Sequence, residues 1–136
     1  MISKSYLNDL SYKIVGCAIE VHKHLGPGLL ESAYHACMKQ ELFLKSINYT
    51  SQLLVPINYK GLQIDADYRL DFLIEEEIVV ELKAMDGLLP VHQAQLLTYM
   101  KLLGKSKGIL LNFNSINIVK EGSKQMVNEL FALLPE

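Results

Sequence analysis

The chain has 136 residues, half of them apolar, which is enough for one domain with a hydrophobic core over residues 1–136. The formal net charge of −2 excludes binding through a globally basic surface, so any nucleic-acid contact must come from a local patch. No apolar run approaches the roughly 20 residues of a membrane span. The first ten residues lack an apolar signal core. Cys17 and Cys37 have no paired spacing, which indicates buried thiols in a reducing, cytoplasmic setting.

Two helices are predicted first, because apolar residues recur at helical spacing. The first runs from about Asn8 to Leu25 and ends at Gly26-Pro27-Gly28. Glycine accepts a left-handed cap and proline cannot continue a helix. The second helix runs from Leu29 or Leu30 to about Lys45.

Three strands are predicted next. The first alternates from Leu53 to Tyr59 and turns at Lys60-Gly61. Pro56 cannot donate to a ladder, so this strand is expected to lie at an edge or to bulge there. The second strand runs from Leu62 to Ile74. The third, Ile78 to Ala84, is apolar on both faces apart from two charges, which favours a central position.

The remaining chain is predicted to cross over and close the domain. A helix begins at Pro90 and ends at Gly104, and a buried strand spans Gly108 to Phe113. Ile116 to Val119 is a candidate strand, and Ser123 to Leu134 a closing helix. The order is α-α-β-β-β-α-β-β-α, a meander followed by a crossover that returns a parallel strand. We therefore predict an α/β (α+β) fold with a mixed sheet flanked by helices.

Three charged residues, Asp71, Glu81 and Lys83, lie in the apolar segments on either side of Glu75-Glu76-Glu77. Glu81 and Lys83 are two apart in a strand, so they share a face. If the second and third strands fold back about Glu76, Asp71 lies opposite Glu81. Burying these charges costs several kcal/mol per ion, on the order of the penalty for unpaired buried ions. A divalent cation would offset the cost for the two acids; a structural ion cluster is the alternative.

Several motifs of the chain occur together in one known family. In order they are Gly28-Leu29-Leu30-Glu31-Ser32-Ala33-Tyr34, Asp71, Glu81-Leu82-Lys83, Gln95-Leu96-Leu97-Thr98-Tyr99 and Leu110-Leu111-Asn112-Phe113. Together they resemble the GxxExxY protein family, a branch of the PD-(D/E)xK (restriction-endonuclease-like, RecB-like) nuclease superfamily, from roughly Ile14 to Phe113. The resemblance implies a restriction-endonuclease-like core and a metal-dependent nuclease that hydrolyses phosphodiester bonds of DNA or RNA.

The resemblance also implies roles for individual residues. Asp71, Glu81 and the helix-borne Glu31 would ligate Mg²⁺ or Mn²⁺, and Lys83 would face the scissile phosphate. Gln95 and Tyr99 would be the Q-x-x-x-Y pair. They are one helical turn apart and would share a face that meets the substrate or braces the metal site. For Glu31 the alternative is an acid that favours its helix dipole.

Two further residues are candidates for contact with the substrate or for support of the site. The ring of Tyr34 is expected to pack in the core, with its hydroxyl free to form hydrogen bonds. His92 lies one turn before Gln95 on the same helix face. The four histidines have no metal-ligand spacing with one another or with cysteine.

Two other functional readings stay open at this stage. The first is a non-catalytic nucleic-acid- or protein-binding module that keeps the nuclease fold, because the chain is short and mildly acidic and its lysines are scattered, with only Lys101, Lys105 and Lys107 clustered. The second makes the charged patch an interface of an oligomer. The sequence does not fix the oligomeric state, and a homodimer is one of the states it allows.

Overall fold

Two long helices open the chain in a computed structural model that describes residues 2–136. Helix α1 spans Lys4–Leu25 and α2 spans Glu31–Leu44, which confirms both predicted helices. Helix α1 begins four residues earlier than predicted. The Ser3 hydroxyl accepts a hydrogen bond from the backbone N–H of Tyr6 at 3.0 Å and caps the helix there.

The first two predicted strands are each divided in two. The first becomes β1 (Tyr49–Leu54) and β2 (Ile57–Tyr59), and the second becomes β3 (Leu62–Ile64) and β4 (Arg69–Ile74). The prediction of two continuous strands was therefore wrong. Pro56 interrupts the first, and the aspartate-rich residues 65–67 have low strand propensity. As a result β2 and β3 form a separate two-stranded arm that pairs only with itself.

The main sheet continues with β5 (Ile78–Lys83), helix α3 (Pro90–Leu103), β6 (Lys107–Asn112) and β7 (Ser123–Val127). Its strand order is β1-β4-β5-β6-β7. Strands β1, β4 and β5 form the predicted antiparallel meander, and α3 returns β6 parallel to β5. The central position of β5 and the mixed α/β fold are therefore confirmed. The fold is consistent with a restriction-endonuclease-like core.

The C-terminal prediction was wrong in two places. Residues 116–119 lie in a turn region, and Ser123–Val127 is an edge strand antiparallel to β6 where a helix was predicted. Only Glu129–Ala132 is helical, as α4, and Asn128 caps it by accepting from the N–H of Leu130 at 3.1 Å. The free edge of β6 offers backbone partners to this segment, and tertiary pairing overrides a weak apolar period.

The core lies on both faces of the sheet. Helices α1 and α2 cover one face, where the rings of Tyr34 and Phe113 stack with centroids 4.6 Å apart. Helix α3 covers the other face through Leu96, Tyr99 and Met100. Over residues 2–136 no helix has both the length and the apolar character needed to cross a membrane.

Candidate functional site

Asp71 and Glu81 meet where the β4–β5 ladder ends. The register pairs Phe72 with Val80 and Ile74 with Ile78, so Asp71 and Glu81 are the next opposite pair, as predicted. Beyond Phe72, hydrogen bonds to the two carboxylates replace the backbone hydrogen bonds between the strands. The N–H of Asp71 donates to Glu81 Oε1 at 2.9 Å, and the N–H of Leu82 donates to Asp71 Oδ2 at 2.7 Å. Each strand therefore holds the carboxylate of the other in place.

Burial and the neighbouring Asp71 disfavour the charged form of Glu81. Glu81 is only 6% exposed. Its burial raises the pKa of its carboxyl to about 8, with Asp71 adding to the rise and the Asp71 N–H and Lys83 opposing it. A carboxyl group with such a pKa, next to a second carboxylate, is typical of a functional site.

Glu31 and Lys83 belong to the same electrostatic cluster. Glu31 is the first residue of α2 and lines an open cavity of about 280 Å³ with Asp71. Partial desolvation raises the pKa of Glu31, Asp71 raises it further, and Lys83 lowers it. Among residues 2–136, Lys83 makes no ion pair within 4 Å, so its ammonium group is available to an anion.

The loop before α2 explains the G-x-x-E-x-x-Y spacing. Gly28 has a φ of 99°, a conformation that favours glycine. The Tyr34 hydroxyl donates to the carbonyl of Gly26 at 2.6 Å and accepts from the N–H of Leu29 at 3.1 Å. Tyr34 is fully buried. Its ring packs in the core, as predicted, and its hydroxyl holds the loop that delivers Glu31 to the cluster.

The segment after Lys83 is fastened by Asn112. Lys83 pairs with Asn112 in the β5–β6 register. The buried Asn112 amide donates to the carbonyl of Met85 at 2.9 Å and accepts from the N–H of Met85 at 3.1 Å. The N–H of Phe113 donates to the carbonyl of Lys83 at 2.9 Å. Strand β6 therefore limits how far the Lys83 backbone can move.

Gln95 and Tyr99 line a cleft beside the carboxylates. The cleft has a volume of about 380 Å³ and lies between α3 and the region around Tyr68. Burial raises the pKa of the Tyr99 hydroxyl, and the charges of Glu81 and Asp71 raise it further. Tyr99 therefore lies close enough to the carboxylates to sense their charge, and Gln95 lines the same cleft one helical turn before it.

His92 is engaged in its own helix. Its Nδ1 accepts a hydrogen bond from the N–H of Leu89 at 2.9 Å, at the start of α3. This bond satisfies a backbone donor at the helix N-terminus. Contact between His92 and a substrate therefore has to use the other ring nitrogen.

Gln52 and His35 border Asp71, although the sequence analysis did not select them. The Gln52 amide donates to Asp71 Oδ1 at 3.4 Å, and His35 Nε2 lies 3.4 Å from the carbonyl oxygen of Asp71. His35 follows Glu31 by four residues, and this spacing could have identified it. Gln52 adopts a φ of 54° within an edge strand, which no sequence signal indicates.

Of the three lysines that are clustered in the sequence, one is not available at the surface. Lys107 is buried, and its ammonium group donates to Asn8 Oδ1 at 2.9 Å. Only Lys101 and Lys105 of the three remain as candidates for contact with a polyanion.

The donor set fits a hard divalent cation. Within the described part of the chain, residues 2–136, no three His, Cys, Asp or Glu side chains are grouped closely enough to hold an ion on their own. Mg²⁺ commonly uses one or two protein carboxylates and keeps several waters. The pair of Asp71 and Glu81 meets that requirement, and a cation there would stabilise the charged form of Glu81 against the burial and the Asp71 charge that raise its pKa.

Comparison with known proteins gives one match. The family model of the PD-(D/E)XK nuclease superfamily matches residues 8–126. The matched region contains Glu31, Asp71, Glu81 and Lys83. No curated protein and no solved structure matches the chain.

Proposed function

The chain belongs to the PD-(D/E)XK nuclease superfamily, and on that premise we propose that it is a metal-dependent nuclease that hydrolyses phosphodiester bonds of DNA or RNA. The observation that carries the proposal is the pair of carboxylates held across β4 and β5, where Glu81 accepts from the N–H of Asp71 and Asp71 accepts from the N–H of Leu82. The unpaired Lys83 lies on the same strand as Glu81. The G-x-x-E-x-x-Y segment supports assignment to the GxxExxY branch, because Tyr34 holds the loop that presents Glu31.

We assign the proposed roles as follows. Asp71 and Glu81 would hold Mg²⁺ or Mn²⁺. Glu31 lies in the same cavity as Asp71 but outside ligand distance of a common ion, and it would have to approach the cation to act as a further acidic ligand. The bound cation supplies Lewis-acid stabilisation of phosphate charge and lowers the pKa of a bound water. Lys83 orients the water or stabilises the charge that develops on the phosphate in the transition state. Gln95, Tyr99 and His92 lie on the α3 side, where they contact the nucleic acid.

The compartment is also a proposal. Cys17 and Cys37 are both free thiols. Free thiols are the usual state in a reducing cytoplasm, which supports the cytoplasmic assignment.

The decisive experiment separates metal binding from hydrolysis. Wild type, Lys83→Ala and Asp71→Asn are compared by thermal unfolding with Mn²⁺ and by cleavage of single-stranded and duplex DNA and RNA. A metal at a hundredfold excess over its Kd stabilises the native state by about 2.7 kcal/mol. Lys83→Ala should keep that stabilisation and lose at least about 100-fold in cleavage, as for loss of one transition-state donor. Asp71→Asn should lose both.

The control is Lys39→Ala, which removes an exposed lysine from α2. It should match wild type in both assays. Undiminished cleavage by Lys83→Ala would remove the role assigned to that residue. If wild type binds nucleic acid in a salt-dependent way and cleaves none of the substrates, the binding-module reading replaces the nuclease. If Asp71→Asn changes only the elution volume, the patch is an oligomer interface.

A further inference from the structure

A second feature of the proposed nuclease is the cleft between α3 and the β2–β3 arm. Its walls carry aromatic, aliphatic and amide side chains, namely Ile57, Tyr68, Val91, Ala94, Gln95, Thr98, Tyr99 and Leu102. Its volume of about 380 Å³ falls within the range of small-molecule sites. Nothing in the proposed hydrolysis uses Tyr68 or Ile57.

The cleft lies next to the strands that carry the carboxylates. Tyr99 belongs to the cleft wall and packs in the same buried cluster as Leu70 and Val79, which lie one residue before Asp71 on β4 and two residues before Glu81 on β5. Burial raises the pKa of the Tyr99 hydroxyl, and Glu81, Tyr68 and Asp71 raise it further, in agreement with this placement. A group held against Tyr68 is a near neighbour of whatever binds at Asp71 and Glu81.

The chemistry of the lining excludes a phosphate as the occupant. None of the eight described residues that line the cleft is a cation. Arg69, the one arginine of the sequence, is engaged with Asp67, with Nε 2.7 Å from Oδ1. The nearby carboxylate of Asp71 repels an anion. A flat, uncharged group with a polar edge suits these walls.

Tyr68 offers a stacking surface for such a group. It is 46% exposed although it borders the buried strand β4. On the opposite wall, Gln95 provides an amide donor and acceptor. The Thr98 hydroxyl donates to the carbonyl of Ala94 at 3.0 Å and retains its acceptor capacity. Enzymes that bind an unpaired base use this combination of aromatic stacking and hydrogen bonds to the base edge.

We propose that this cleft binds one unpaired nucleobase of the nucleic acid, stacked on Tyr68, next to the phosphate that a divalent cation at Asp71 and Glu81 would hold. The inference rests on the proposed nuclease function and names its substrate class. The preferred substrate has a single-stranded or frayed nucleotide at the cleavage site. A fully paired duplex keeps its bases in the stack and leaves the cleft empty.

The test measures binding with Ca²⁺ in place of Mg²⁺ or Mn²⁺, which keeps a hard cation at the carboxylates, and gel electrophoresis verifies that the probes stay intact. The probes are single-stranded DNA and RNA oligonucleotides that carry one 2-aminopurine, and a blunt duplex of the same length. Stacking on an aromatic side chain is worth about 1–3 kcal/mol per base. Tyr68→Ala should therefore weaken single-strand binding by about 5- to 150-fold and abolish the protein-induced quenching of 2-aminopurine. Tyr68→Phe should retain both. Comparison of the DNA and RNA oligonucleotides identifies which nucleic acid supplies the base.

Tyr12→Ala is the matched control, because Tyr12 is 80% exposed on α1 and lines no part of the cleft. Melting curves establish that each variant folds. Equal single-strand affinity and quenching in wild type and Tyr68→Ala would overturn the base site while leaving the nuclease proposal intact. Tyr68-dependent binding by a wild type that cleaves nothing would keep the base site and overturn the nuclease. If Tyr68→Ala changes only self-association, the cleft is a protein interface and the base site is wrong.

Discussion

Replacement of Glu81 by Gln tests the electrostatics of the acidic pair directly. Gln keeps the size of the side chain and an oxygen that accepts from the Asp71 N–H, a bond of 2.9 Å in the native protein. It removes the buried titratable group. We expect Glu81→Gln to be more stable than wild type at alkaline pH and similar to it at acidic pH, in the absence of divalent metal.

The magnitude follows from the pKa of Glu81. The native pKa is about 8, against an ordinary value of 4.5. Because the native state binds the proton more tightly than the unfolded state, the stability from this group is fully present below about pH 4.5 and is lost as pH rises through about 8. At about 1.36 kcal/mol per pKa unit, the complete loss is about 5 kcal/mol. Structural relaxation around a buried charge generally reduces such a penalty, so we expect about 2–5 kcal/mol.

The assay is urea unfolding of both proteins in EDTA at pH 5, 7 and 9. The difference between their free energies of unfolding should grow with pH in favour of Glu81→Gln, since all other titrating groups are shared. Glu76→Gln, at the exposed tip of the same β-hairpin, should follow wild type. Parallel pH profiles for wild type and Glu81→Gln would refute the assignment of a raised pKa to Glu81.

Two further predictions concern the surroundings of the acidic pair. Gln52→Gly should relieve a positive φ that costs about 1–3 kcal/mol. In urea unfolding this variant should be at least about 1 kcal/mol more stable than the control Ser51→Gly. Equal destabilisation of the two variants would contradict strain at Gln52. Tyr34→Phe leaves the carbonyl of Gly26 without its donor and should lower the free energy of unfolding by about 1–3 kcal/mol. Its stabilisation by Mn²⁺ should be smaller than that of wild type, because the loop that presents Glu31 loses its anchor, and unchanged stabilisation would contradict this role of the hydroxyl.

Local patterns in the sequence were sufficient for the helices and for the centre of the sheet. Gly26-Pro27-Gly28 and Gly104 end their helices because backbone chemistry at a helix end is local. The unbroken apolar run of β5 indicated a strand covered on both faces, and the structure confirms it as the central strand. The opposition of Asp71 and Glu81 followed from a hairpin centred on Glu76, because side chains alternate with a period of two.

Pairing between residues distant in sequence decided the C-terminal strand, the β2–β3 arm and the partners of Asp71. The segment Ser123–Val127 is a strand because β6 supplies its backbone partners, and β2 and β3 leave the sheet as an arm that no alternation pattern indicates. Gln52 reaches Asp71 only because β1 lies beside β4 in a register that places them opposite each other. Sequence patterns therefore determined the acidic strand motifs and the helix ends, since both depend on neighbours in the chain. Tertiary structure decided the pKa of Glu81, the partners of Asp71 and the cleft beside Tyr99, since each depends on burial and contacts between residues distant in sequence.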